Sequence, residues 1–245
     1  GRRGAGGGGG GGWGGGGGGL GRPPGGGFVN QGGGVVHFTG LAWAGRYGEP
    51  VAALPAEPYA AGFLTGGCLA MRRTVWEAMG GYAERYGAYH EDTELSLRLR
   101  LTGRRFGFLP RARAVHDYDF DKGKAKWRFM EANRWRTLLR TYPTPLLVLL
   151  APILLVVELG IVAGAVAGGW LPSKLQAYGD VARWLPSMPT ERRAVQGTRR
   201  VSVRVFADGL SADLDSPFLG PVAGLPPVQA VLPRLWRLIV ALLPR

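Results

Sequence analysis

The stretch AYHEDTELSLRLRLTGRRFGFLP, residues 88–110, decides the fold. Leu95, Leu97, Leu99 and Leu101 alternate with Ser96, Arg98 and Arg100, and that period of two by itself predicts a strand. The boundaries predict a helix instead. Asp92 or Thr93 is a good N-cap, acidic residues fill the first turn, and Gly103 stands where a helix would stop. As a helix, Leu95 and Leu99 share one face and Leu97 and Leu101 another, so it is buried on two sides while Arg98 and Arg100 snorkel outward. Residues 105–109 then read as a strand closed by Pro110.

Upstream, the chain reads as α/β. The short apolar runs at residues 60–65 and 68–71 are broken by glycine, as expected of buried strand and turn. Thr74 introduces a short helix ending at Gly80 or Gly81, with Trp76 and Met79 expected in the core. Cys68 is the single cysteine, so no intrachain disulfide can form. Its small-residue setting suggests a buried structural thiol.

The carboxylates of Glu91 and Asp92 open the helix, and no Asp precedes Asp92. A carboxylate on the first turn of a buried helix is held rigidly, and the N-terminal amides favour its charged form. A neighbouring acid raises its proton affinity. Those properties suit a general base, while a solvent-facing cap is the plain structural alternative.

Larger patterns carry a resemblance. The run GFLTGGCLAMRR (residues 62–73) is followed by Gly80-Gly81-Tyr82 and by YHEDTELSLR (residues 89–98), and then by Gly103, Pro110, Ala112 and His116. Together they resemble the second half of a family 2 glycosyltransferase with the GT-A fold, over residues 28–140. The resemblance implies an inverting transfer from a nucleotide-diphosphate sugar. Asp92 would be the catalytic base and Glu91 its partner. Gly62, Thr65, Gly66 and Gly67 would shape the substrate cleft, with His90 beside it. His116 is similar to the histidine that in several members completes a divalent metal site, Mg or Mn. Members carry an earlier nucleotide-binding half with an Asp-x-Asp motif; its absence here implies a truncated, mispredicted or degenerate sequence that is not expected to work alone.

Composition assigns the remainder. Of 43 glycines, 19 lie before Phe28, most of them in near-pure runs, and residues 1–27 have almost no side chains to bury, so disorder is expected there. The net charge of +13 is not gathered on a recognisable nucleic-acid module. Seven of the Lys and Arg residues fall in residues 121–140, just before an apolar run, which suits an anionic membrane surface. That run, residues 146–169, is long enough to span about 30 Å of hydrocarbon. Pro152 would kink it, and Glu158 must be neutral, paired or facing protein. A re-entrant or interfacial hairpin is the competing reading. The segment AVLPRLWRLIVALLPR suggests an amphipathic interfacial helix, whereas residues 175–227 show no motif.

The expected organisation is therefore a glycine-rich segment (1–27), an incomplete GT-A-like α/β domain (28–141), a transmembrane or membrane-embedded helix (142–171) and a membrane-proximal tail (172–245). No secretory signal is evident. The expected partners are a nucleotide-diphosphate sugar, a lipid-linked or polysaccharide acceptor and the membrane, with the catalytic part cytoplasmic and no nucleic acid. A noncatalytic membrane remnant or docking subunit is the alternative.

Overall fold

The computed structural model describes residues 27–115, 123–216, 219 and 224–244. The expected disorder of the glycine-rich start falls, except for Gly27, outside them, as does His116. The described chain is mixed α/β and mostly helical. Strands β1 (Gly34–Val36) and β2 (Ala42–Ala44) pair antiparallel with Val35 opposite Trp43. Strands β3 (Tyr59–Ala60) and β4 (Gly107–Phe108) form a second antiparallel pair. The strand expected over residues 105–109 is thus only two residues long. Gly34 has a steric reason: a Cβ there would lie 2.1 Å from the Phe63 ring.

The helices are α1 (Arg73–Met79), α2 (Glu91–Leu101), α3 (Lys126–Thr141), α4 (Thr144–Ala167), α5 (Leu171–Trp184), α6 (Met188–Gly197), α7 (Val203–Ala207) and α8 (Pro226–Leu242). The disputed leucine segment is α2, and all four of its leucines are buried. It ends as expected: Gly103 has φ 77° and the Arg104 N–H donates to Leu99 O at 3.1 Å. Its start differs from the expected cap at Asp92 or Thr93. His90 is the N-cap, because Tyr89 and His90 both adopt positive φ (66° and 64°) and turn the chain into the helix early. The Asn133 amide on α3 holds that turn by donating to Tyr86 O, Ala88 O and Tyr89 O.

Three local expectations are corrected. Arg98 does not snorkel: it is buried, its Nε donates to Glu94, and its remaining nitrogens donate to Met79 O and Gly81 O. Cys68 is exposed rather than buried, on the loop before α1. Trp76 and Met79 are only half-buried, because α1 is a two-turn helix with no fully buried residue.

Helix α3 is the axis of the packing, in contact with α2, α5 and α6. One apolar core joins Val36 and Phe38 to Leu97 and Leu101 of α2, Leu138 of α3 and the Leu146, Leu150 and Leu154 stripe of α4. Phe206 of α7 and Trp236 of α8 close it. The residues that showed no motif therefore supply α5, α6 and α7. Helix α8 is docked rather than free, since Trp236 stacks on Phe38 with centroids 4.9 Å apart.

Candidate active site

Asp92 lies in the first turn of α2, facing the loop of residues 64–66. Its Oδ2 accepts from the Gly66 N–H at 2.9 Å, and its Oδ1 accepts from the Thr93 N–H at 2.6 Å. Ser96, one turn on, completes the junction. Its hydroxyl donates to Asp92 O at 2.7 Å and accepts from the Leu64 N–H at 2.9 Å. Helix and loop are thereby joined at two points, Gly66 to Asp92 and Leu64 to Ser96, which fixes the carboxylate relative to the chain in front of it.

Glu91, Asp92 and Tyr82 converge on Gly66. A Cβ on Gly66 would stand 3.4 Å from the Tyr82 hydroxyl, 3.7 Å from Asp92 Oδ2 and 3.8 Å from Glu91 Oε1. Glycine is thus the residue that leaves this space open. Burial pushes the Asp92 carboxyl above its ordinary range, and the amide bonds from Gly66 and Thr93 pull it back. Burial also raises Glu91, helped by the neighbouring Asp92 charge. Tyr82 is pushed up to about 12, by burial first and then by the two carboxylates, so its hydroxyl stays protonated and able to donate. Glu91 Oε2 is shielded from solvent and accepts no hydrogen bond. Tyr82 belonged to a recognised motif, but the sequence offered no sign that its hydroxyl meets the acidic pair.

The remaining expected site residues separate. Thr65 and Gly67 lie on the same loop, where the Thr65 hydroxyl accepts from the Gly67 N–H at 3.4 Å. Gly62 lies farther back against β1: its N–H donates to Gly34 O at 2.6 Å, and its carbonyl accepts from Arg100 Nη2 at 2.9 Å. It lines an open cleft of about 1090 Å³ whose wall also carries Arg100, Arg104 and Arg105. Neither that cleft nor one of about 430 Å³ between α6 and the α3–α4 turn includes Asp92. His90 is buried and points away from bulk solvent, and desolvation lowers it to about 4.

Metal binding was tested on the donor set. Among the described residues no three His, Cys, Asp or Glu side chains gather as metal ligands, and His116 lies outside them. The carboxylates present are two, Glu91 and Asp92. They do not by themselves make a metal centre.

No protein-family model matches the chain, and no solved structure matches it. Two relatives do. The chain is 34% identical over 101 residues, 37% of its length, to the O-antigen biosynthesis protein RfbC of Myxococcus xanthus. It is 36% identical over 63 residues, 26% of its length, to an N-acetylglucosaminyl-diphospho-decaprenol L-rhamnosyltransferase of Mycobacterium tuberculosis. The matched parts span 8% and 20% of those proteins. The first relative is named for O-antigen biosynthesis and the second as a rhamnosyltransferase.

Proposed function

We propose that this chain carries the acceptor-side part of an inverting family 2 glycosyltransferase of the GT-A type that works at a membrane on a lipid-linked or polysaccharide acceptor. The observation that carries the reading is the Asp92 carboxylate, clamped by the Gly66 and Thr93 amides, with proton affinity raised by burial. In this mechanism Asp92 takes the proton of an acceptor hydroxyl as that oxygen attacks the anomeric carbon of a nucleotide-diphosphate sugar. The new C–O bond forms on the face opposite the leaving group, and the electron pair of the breaking bond departs with the diphosphate. Glu91 keeps negative potential on the base, and Tyr82 donates a hydrogen bond within the same space. The loop of residues 64–67 forms the wall against which the acceptor is oriented. The relative named for decaprenol supports a lipid-linked acceptor. The apolar helix α4 supports membrane attachment, and the basic residues ahead of it support a cytoplasmic face.

The test is transfer of labelled sugar from a nucleotide-diphosphate donor to a polyprenyl-linked acceptor, comparing wild type with Asp92→Asn. Loss of a positioned base is expected to slow transfer by about 10²- to 10⁴-fold. Transfer that survives the substitution would remove Asp92 from the mechanism. One observation favours a noncatalytic docking role instead: Asp92 faces neither of the two clefts described above. Stable association with a second transferase, combined with no nucleotide-sugar binding, would support that reading.

A further inference from the structure

Helix α4 has the length and apolarity to cross a bilayer, with 24 residues and a mean hydropathy of 2.8 over an 18-residue window. Its attachments, however, run along its whole length. At its start, Arg192 Nη2 donates to the Thr144 hydroxyl at 2.8 Å, and the preceding Tyr142 hydroxyl donates to His37 O at 3.2 Å. At its middle, Glu158 meets Arg134 of α3 and Lys174 of α5. Just past its end, Trp170 stacks on Trp127 of α3 at 4.9 Å, and the Lys124 ammonium donates to Gly169 O at 3.1 Å. The start of α4 is therefore held by α6 and the preceding Tyr142 by the His37 carbonyl, its middle by α3 and α5, and its far end by residues at the start of α3.

Glu158 stands 14 residues past Thr144, about 21 Å along the helix. A crossing would place it deep in the hydrocarbon and carry Arg134 and Lys174, with the helices that bear them, to the same depth. Helix α3 also bears Lys126, Arg128, Arg136 and Arg140, and its flanks are covered by α2, α5 and α6. Ionised side chains at that depth are strongly disfavoured. The opposite face of α4 has none. Val148, Leu155, Val156, Leu159 and Val166 are exposed there, Val156 at 68%.

We infer that α4 lies along the membrane surface rather than across it, its inner stripe fixed to the protein and its outer apolar face sunk into the lipid of an anionic leaflet. Charge complementarity identifies the partner. The cleft at the start of α4 presents Arg192, Arg193 and Arg199 between Pro143, Pro145 and Met188, with no acidic residue in its lining. Lys124 and the Trp127–Trp170 pair stand at the other end. Basic groups at both ends of one apolar face, joined by a tryptophan pair at one of them, match a lipid headgroup layer. Helix α8 packs on α4 and adds exposed Val231, Leu238 and Leu242 beside Arg234 and Arg237.

This inference deepens the membrane-bound reading above and rests on its membrane attachment, not on sugar transfer. The test uses the full chain in a Cys68→Ser background, with Pro145→Cys or Ala167→Cys, expressed and collected as right-side-out and inverted membrane vesicles. Both positions are exposed and bracket α4. A membrane-impermeant maleimide is expected to label both from the same vesicle orientation, while Val156→Cys and Leu159→Cys label only after detergent. Labelling of Pro145→Cys and Ala167→Cys from opposite faces would overturn the inference. So would free labelling of Val156→Cys in intact vesicles, or recovery of the protein in the soluble fraction. A failed transfer assay with lateral labelling intact would count against the enzymatic reading alone.

Discussion

Arg134 on α3 and Glu158 on α4 form a buried ion pair at the middle of an otherwise apolar helix. The pair is one edge of a four-charge network. Glu131 accepts from Arg134 Nη2 at 3.0 Å and from the Lys174 ammonium, and Lys174 reaches Glu158 at 2.5 Å. The Tyr178 hydroxyl also donates to Glu158, at 2.5 Å. Two positive and two negative groups leave the cluster formally neutral. Burial pushes the Glu131 carboxyl up, but the Arg134 and Lys174 charges outweigh that and hold it below the ordinary carboxylate range.

Removing one member of such a cluster strands its partners, and a buried charge without its counterion costs about 3–5 kcal/mol. Arg134→Leu leaves two carboxylates against one ammonium and is expected to lose stability of that order, measured by the denaturant midpoint in detergent. Arg134→Leu combined with Glu158→Leu removes one charge of each sign and is expected to recover part of the loss. A double variant no better than Arg134→Leu would show that the two residues do not act as a pair.

Ser96 bridges the candidate base to its loop, and it is fully buried. Ser96→Ala leaves the Leu64 N–H without its partner, a cost of about 1–3 kcal/mol. The loop, rather than the helix, is expected to loosen, because α2 keeps its leucine packing. Amide exchange should rise at residues 64–66 and stay slow at residues 95–101. Unchanged exchange at Leu64 would show that the loop is held by other contacts.

Helix α2 was legible because its end signals and its period conflict in an informative way. A helix buried all round has no polar face, so the alternation of leucine with Ser96 and Arg98 carries no information about exposure. The acids of the first turn and Gly103 remained decisive. The N-cap was misplaced by two residues because Tyr89 and His90 take positive φ without being glycine, and the support for that turn comes from Asn133, more than forty positions away. Glu158 was legible as needing a partner, but nothing in the sequence marks Lys174, beyond the end of the apolar run, as the group that folding brings to it. Cys68 was read as buried from its small neighbours, yet glycine and cysteine suit an exposed turn equally well. The Glu91–Asp92 pair was visible; its convergence with Tyr82 on Gly66 required three dimensions.

Trp236 tests whether α8 is part of the fold. It is 7% exposed and lies nearly parallel to the Phe38 ring, at 2°. Trp236→Ala is expected to cost about 3–5 kcal/mol through the cavity it leaves. Limited proteolysis should then release the C-terminal helix before the remainder unfolds. Resistance equal to wild type would mean that Leu232, Ile239 and Leu243 suffice to hold α8.

The buried histidines are expected to contribute to the acid limb of stability. His37 Nε2 faces the Ala212 carbonyl at 3.2 Å, so it carries the proton, and Nδ1 accepts from the Thr39 hydroxyl at 2.7 Å. A second proton on Nδ1 would break that bond. Desolvation lowers His37 to about 4, against the weaker opposing effect of the Ala212 carbonyl, and desolvation lowers His90 to about 4 as well. Both folded values lie below the ordinary imidazole value of 6.5, so between these limits the unfolded chain binds protons that the folded chain does not. The contribution of the neutral rings is complete above pH 6.5 and is lost progressively down to about 4, by up to about 1.4 kcal/mol per pH unit for each histidine. Denaturant midpoints measured through this window should fall with pH, and His90→Gln should roughly halve the slope while His37→Gln accounts for the other half. A slope unaffected by either substitution would place the acid sensitivity on the carboxylates instead.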